Sequence, residues 1–212
     1  MAQPSPMVQS KVLPMPPSFT IAQLASLNEP ITASAGFDLY LQAFDNQPGI
    51  SIPFRNLDYQ HVRQWLSLTL SLDPDTQYPL LMATHLYSRV PDETKTRLML
   101  DWVYGEFEKS PGTSWRWLAD AAVIAKHKLH DLPLALKYAQ AIAAHSRETS
   151  IPSWASQMPI FIMEDMGETK SAKIMLGALL ANNGIKDPHE RHFLIQEYEK
   201  LTKKMSDTHR SR

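Results

Sequence analysis

Apolar residues along this chain recur at the three- and four-residue spacing of a helix face, in successive short segments that stop at Pro, Asp-Pro or Asn-Gly. Phe37, Tyr40, Leu41 and Phe44 form one such set and Tyr59, Val62, Leu66 and Thr69 another. That periodicity specifies amphipathic helices, because side chains three and four residues apart lie on the same side of a helix and require a common core. Strict alternation of apolar and polar residues, the mark of a half-buried strand, is missing apart from Ile50, Ile52 and Phe54. The punctuation agrees, since 7 glycines against 16 prolines leave little material for tight hairpins.

The spacing predicts helices over residues 18–27, 35–45, 58–72, 76–89, 92–109, 114–129, 133–145, 152–165, 168–182 and 188–203, nine or ten in all depending on how the first is counted. Asp73-Pro74 ends the third of these, because proline disfavours helical geometry in the residue before it. Ser110-Pro111-Gly112 closes the fifth, Thr113 or Ser114 is the expected N-cap of the sixth, and Pro133 suits a first helical turn, where its missing donor is not needed. Met166-Gly167 separates the eighth from the ninth, and Asn183-Gly184 is a C-terminal stop. Turns this short make successive helices antiparallel neighbours. The expected organisation is a flexible Pro/Ser/Met-rich tail at 1–17, one helical domain at 18–204 and a basic flexible tail at 205–212.

Composition limits function more than it defines it. A net charge of -1 argues against a general nucleic-acid or membrane-surface binder, and 43% hydrophobic with 20% charged residues excludes a disordered chain. Without cysteine there is no disulfide, thiolate metal site or cysteine nucleophile, which fits a reducing compartment, taken here as the cytoplasm. No stretch reaches the roughly 18 apolar residues of a membrane span. The first twenty residues lack the apolar core of a secretory signal and the arginines of a transit peptide, although organelle import stays open.

Two segments 37 residues apart repeat a pattern. His130-Asp131-Leu132-Pro133-Leu134-Ala135 and Gly167-Glu168-Thr169-Lys170-Ser171-Ala172 are followed at equal offsets by Ala139/Ile142 and Leu176/Leu179. A period in the thirties is that of a helical solenoid. On these residues the chain resembles the tetratricopeptide-repeat family, which places Gly, an aromatic two residues on and Ala three further at the turn into its second helix, with proline closing the repeat. Gly167 and Ala172 match the glycine and alanine, Ala135 the alanine, and Tyr59 with Pro74 the aromatic and closing proline. The Trp, Leu and Gly of that family's first helix have no counterpart, and Val62 stands where alanine is usual. The resemblance covers about residues 57–182 and implies helix hairpins stacked as a short right-handed superhelix whose concave face takes a protein or peptide. A non-repetitive α-bundle is the alternative fold.

No catalytic, cofactor-binding or metal-ligating residue is assigned. His127 and His130 have the i, i+3 spacing of a shared metal, with Asp131 as a possible orienting group, but no third ligand can be named. Polar and cationic side chains also belong at the carbonyl end of a helix. His189 and His192 stand the same way, and the basic residues Lys200, Lys203, Lys204, Arg210 and Arg212 are too few to dominate nucleic-acid binding. The candidate partner-binding residues are Gln47, Phe54, Arg55 and Trp115. The first three lie in the loop at 46–57, which joins prolines to an aromatic and a guanidinium; the competing account is a strap packing Ile50, Ile52 and Phe54 on the core. Trp115 and Trp117, two apart on a helix, face different sides, so one of them leaves the core. Trp117 and Trp102 are expected inside, and Trp65 and Trp154 are also assigned to packing.

Three functions follow as expectations. The first is a non-catalytic interaction or scaffold module; the second is an obligate subunit docked in a larger complex, membrane-associated or not; the third is a hydrolytic or metal-dependent enzyme using His85, His127 or His130.

Overall fold

The computed structural model of the chain describes residues 12–27, 29–44, 46–47, 50–146, 150–181, 185 and 187–210. The chain is all-α, with ten α-helices among the described residues. It packs as two compact units, 1–106 and 107–212, within a span expected to be one domain. No helix among the described residues is long and apolar enough to cross a membrane.

In the first unit, α1 (Phe19–Ala25) and α2 (Pro30–Ala43) precede a two-residue antiparallel pairing of Asn46–Gln47 with Ile50–Ser51 and a 3-10 turn at Phe54–Asn56. Then come α3 (Tyr59–Leu72) and α4 (Tyr78–Leu81), the latter continuing through a π turn at Met82–Leu86 and a 3-10 turn at Tyr87–Arg89 into α5 (Glu93–Lys109). The Asp58 carboxylate starts α3 by accepting from the Gln60 and His61 N–H groups at 2.8 and 3.4 Å, a cap that typically contributes about 1 kcal/mol. Pro30 begins α2 at its first position, which extends that helix five residues before the expected start at residue 35.

The central helix is α3, whose Tyr59, Val62, Trp65, Leu66, Leu68, Thr69 and Leu72 are all buried. Helices α1, α2 and α4 pack on it, and the Trp102 indole N–H of α5 donates to the Ser67 hydroxyl at 2.8 Å. The expected tail does not run to residue 17. Leu13 is 1% exposed, its carbonyl lies 2.7 Å from His61 Nδ1, and the Pro14 carbonyl accepts from the Trp65 indole N–H at 2.8 Å. Proline lacks a donor but keeps its acceptor, so a segment containing it is fastened through its carbonyls. Leu13→Ala is expected to cost about 3 kcal/mol of unfolding free energy in urea titrations, whereas Val12→Ala, at an exposed position, should stay within about 0.5 kcal/mol. Equal effects at the two positions would remove the docked segment from the account.

The second unit holds the end of α5 with α6 (Pro111–His127), α7 (Leu132–Ala144), α8 (Ser153–Asp165), α9 (Thr169–Ala181) and α10 (Pro188–Arg210), each of α6 to α10 packed on the next. Ser110 alone separates α5 from α6, because Pro111 takes the first helical position instead of closing the previous helix, and Ser110 rather than Thr113 or Ser114 is the N-cap. The last helix runs to Arg210, past the expected end at residue 203.

The 37-residue correspondence has a backbone counterpart. His130 (φ 51°) and Gly167 (φ 78°) both turn in the left-handed region. At Gly167 the turn is a Schellman motif, with Gly167 N–H on the Glu164 carbonyl and Glu168 N–H on the Met163 carbonyl, each 2.9 Å. At His130 it is one residue wider, with Asp131 N–H on the Ala125 carbonyl at 2.9 Å. Ala135 and Ala172, five residues after each turn, are fully buried, as are Ala139 and Leu176 four residues further. Small residues there let paired helices cross closely.

Candidate functional site

The residues singled out from the sequence fall in both units. Asn46–Gln47 belongs to the short pairing, but the side chain of Gln47 lies outside the described set, as does Pro48. Phe54 is half-buried and meets Tyr87 edge to face, with ring centroids 5.6 Å apart. The Arg55 side chain is exposed, while its backbone carbonyl and that of Leu57 accept from the Lys95 ammonium. Leu57 is buried, Ile52 and Phe54 are half-buried, and Ser51, Pro53, Arg55 and Asn56 are exposed, so the described part of this loop is tied to α5 and still carries exposed side chains.

Trp115 lies on α6 in the second unit and is 7% exposed, whereas Trp117 is half-buried. The expected assignment of Trp117 to the core is therefore reversed between the two. Trp154, assigned to packing from its sequence, is 55% exposed at the start of α8. The Trp115 and Trp154 rings meet at 71° with centroids 5.6 Å apart, and the Arg116 guanidinium sits 5.4 Å above the Trp115 ring. A groove of about 610 Å³ opens here, lined by Trp115, Arg116, Trp117, Ala119, Asp120, Ser150, Pro152 and Trp154. The α6–α7–α8 packing that joins Trp115 to Trp154 is not a periodicity, so only their common aromatic character was available from the sequence.

A second concavity, about 470 Å³ and almost wholly apolar, lies in the first unit. It is lined by the small residues Ala22, Ala25, Ser26, Ala33 and Gly36 and by the aromatic rings of Phe37, Tyr40 and Trp65. Phe37 and Tyr40 each stand with their ring centroid 5.3 Å from that of Trp65. The same helices carry large apolar side chains in solvent, among them Phe19, Ile21, Leu24 (73% exposed), Ile31 and Leu39. Between Val12 and Phe54 the chain has no lysine or arginine.

Beside this region Asp38 is 3% exposed and its Oδ1 has no hydrogen-bond partner. Burial pushes its carboxyl up to about 6; the hydroxyl of Thr69 opposes that shift and Asp73 adds to it. Thr69 is held from the other side, its backbone carbonyl accepting from the Ser34 hydroxyl at 2.9 Å. Burial also pushes the Tyr59 phenol up, with Asp92 adding to the shift, and the Tyr59 hydroxyl donates to the Tyr87 carbonyl at 3.0 Å.

The histidines do not assemble. His85, His127, His130, His189 and His192 are exposed, and among the described residues no three His, Asp or Glu side chains converge as a metal site would need. Asp131, instead of orienting a ring, caps α7 by accepting from the Leu134 N–H at 2.9 Å. Lys200 and Lys204 of the basic end lie 3.4 and 3.7 Å from Glu164, and the neighbouring Glu197 carboxylate pushes Lys200 up from its ordinary value. No family model, curated protein or solved structure matches the chain.

Proposed function

We propose that this chain is a non-catalytic protein–protein interaction module of the tetratricopeptide-like kind, working in assembly or scaffolding in a reducing compartment. The observation that carries the proposal is the apolar surface of α1 and α2, where large side chains stand in solvent beside a groove lined by small residues and aromatic rings. Water-exposed leucine and isoleucine at this density are disfavoured in a chain that stays alone and mark a surface that becomes covered. The near absence of charge here favours a protein surface over an anionic membrane, which would call for lysines and arginines. The recurrence of a left-handed residue followed by a buried alanine at 130/135 and 167/172 supports the repeat part of the proposal.

Tagged wild-type protein and the double variant Leu24→Glu/Ile31→Glu, used in parallel affinity captures, test this. The wild type is expected to retain a defined partner in near-stoichiometric amount and the variant to lose it, with unchanged circular dichroism. Identical capture by both sinks the proposal. The same surface also favours the reading of an obligate subunit, in which the partner is permanent. In that case the isolated wild type should self-associate by light scattering, and the double variant should be monodisperse.

A further inference from the structure

We propose that the seam between α2 and α3 is a pH-operated latch, in which Asp38 seats the α1–α2 helix pair on α3 while its carboxyl carries a proton and releases the pair on ionisation. The proposal concerns how the surface of α1 and α2 is held, and it does not depend on any partner.

The seam is polar where a contact between helices is ordinarily apolar. Of the fourteen residues of α2 the buried ones are Ser34, Asp38 and Leu41, whereas α3 buries Val62, Leu66, Leu68 and Leu72 among others. In the seven-residue α1 the buried side chain is Ala22. Elements with few buried apolar side chains open at low cost, because burial is what opposes the entropy gained on release. In α2, one buried group can therefore decide whether the helix stays seated.

Hydrogen bonding makes Asp38 that group. Its carboxyl, 3% exposed, meets the Thr69 hydroxyl. That hydroxyl has a single proton, and it is directed to the Leu66 carbonyl at 3.0 Å. A protonated Asp38 donates to a lone pair of the Thr69 oxygen, and the run from Asp38 through Thr69 to Leu66 is complete. An ionised Asp38 competes with the Leu66 carbonyl for the same proton, while its Oδ1 stays without a partner. Ser34, the other polar member of the seam, has its proton on the Thr69 carbonyl at 2.9 Å.

The surrounding charges do not offset ionisation. Helices α1 and α2 contain no lysine, arginine or histidine. From α3 the charged group that faces Asp38 is Asp73, at the C-terminal cap, and it repels a second carboxylate. The cations of α3, His61 and Arg63, stand in its first half, away from Thr69. From α4 the Tyr78 hydroxyl meets Gln42, and on α2 itself Tyr40 packs on Phe44 and Trp65. With the carboxyl pushed up to about 6, the seated state is fully favoured below about pH 4 and loses that advantage as pH rises to about 6. The apolar groove is lined from α1, from α2 and by Trp65 of α3, so it exists only while α2 is seated.

Hydrogen exchange of the full chain at pH 4 and pH 7, each rate divided by that of an unstructured peptide at the same pH, tests the latch. Opening of α2 in the wild type is expected to increase by roughly tenfold or more between the two pH values, since the folded and unfolded carboxyls differ by about two units. In Asp38→Asn, which carries no charge at either pH, the change should stay within about threefold. At pH 7 the wild-type α2 amides should also exchange faster than the slowest amides of α3, because the latch frees the helix pair while the rest of the unit stays folded. If the variant fails to fold, the wild-type α9 amides in the other unit are the reference, and they should not follow the increase at α2. A wild-type increase below tenfold, a larger than threefold change in Asp38→Asn, an equal increase at α9, or α2 amides no faster than the slowest of α3 each overturn the latch. None of these results bears on partner capture by Leu24→Glu/Ile31→Glu, so the two proposals fail separately.

Discussion

Asp38→Asn is expected to stabilise the protein at pH 7 by about 3 kcal/mol and to change its stability little at pH 4. The cause is the buried carboxyl between α2 and α3, pushed by desolvation from 3.8 to about 6. A carboxyl whose folded-state value is raised binds its proton more tightly in the folded state than in the unfolded chain. Its favourable contribution is therefore fully present below about pH 4, and it is lost as pH rises from about 4 to 6 and the group ionises away from water. At about 1.4 kcal/mol per unit, a difference of about two units gives the expected figure. Asparagine keeps the shape and removes the charge, and because its own hydrogen bonding does not change between pH 4 and pH 7, the difference between the two pH values isolates the ionisation. Urea titrations at pH 4 and pH 7 measure it. Equal effects at the two pH values, or a loss of stability at pH 7, would show that Asp38 is not a desolvated carboxylate.

The second large effect is expected at the other end of the chain, where Leu176→Ala should lower stability by about 3 kcal/mol. Leu176, Ala172, Ile160, Leu194 and Leu201 form a closed cluster from α8, α9 and α10, with Tyr198 and Phe161 packed around it. Removing three carbons from its centre forfeits their transfer from water and leaves a cavity that the surrounding helices close only in part. Relaxation has little room, because α9 and α10 already approach closely: a Cβ on Gly177 would stand 3.2 Å from the Tyr198 ring. Ile174→Ala, two residues away and facing solvent, is the control and should stay within about 0.5 kcal/mol. Hydrogen exchange at α9 and α10 amides should accelerate in Leu176→Ala and not in the control. A loss below about 1 kcal/mol would mean that these helices do not share one core.

The interaction surfaces were less legible in the sequence than the helices that carry them. Trp154 has the same side chain as the well-buried Trp102, although it stands among Ser150, Ser153 and Ser156 where Trp102 has Met99, Leu100 and Val103, and the packing of α8 leaves it in solvent. The groove lining of α1 and α2 was equally hidden, because Ala22, Ala33 and Gly36 look like ordinary helix residues until they come together. Leu13 was hidden for a third reason. A single apolar residue among prolines has no period to reveal it, and its burial depends on His61 and Trp65, some fifty positions away.

The helices and most of their ends were in the sequence because the forces that make them are local. A proline at a first turn such as Pro133 and a left-handed stop such as Gly167 each act within one turn of backbone, and a three- to four-residue apolar period states which face seeks a core. Tertiary structure decided what each face meets. The burial of Asp38, the exposure of Leu24 and Trp154 and the strap at Leu13 each depend on side chains brought together from distant positions. Desolvation and exposure are properties of an assembled surface, so no local pattern fixes them.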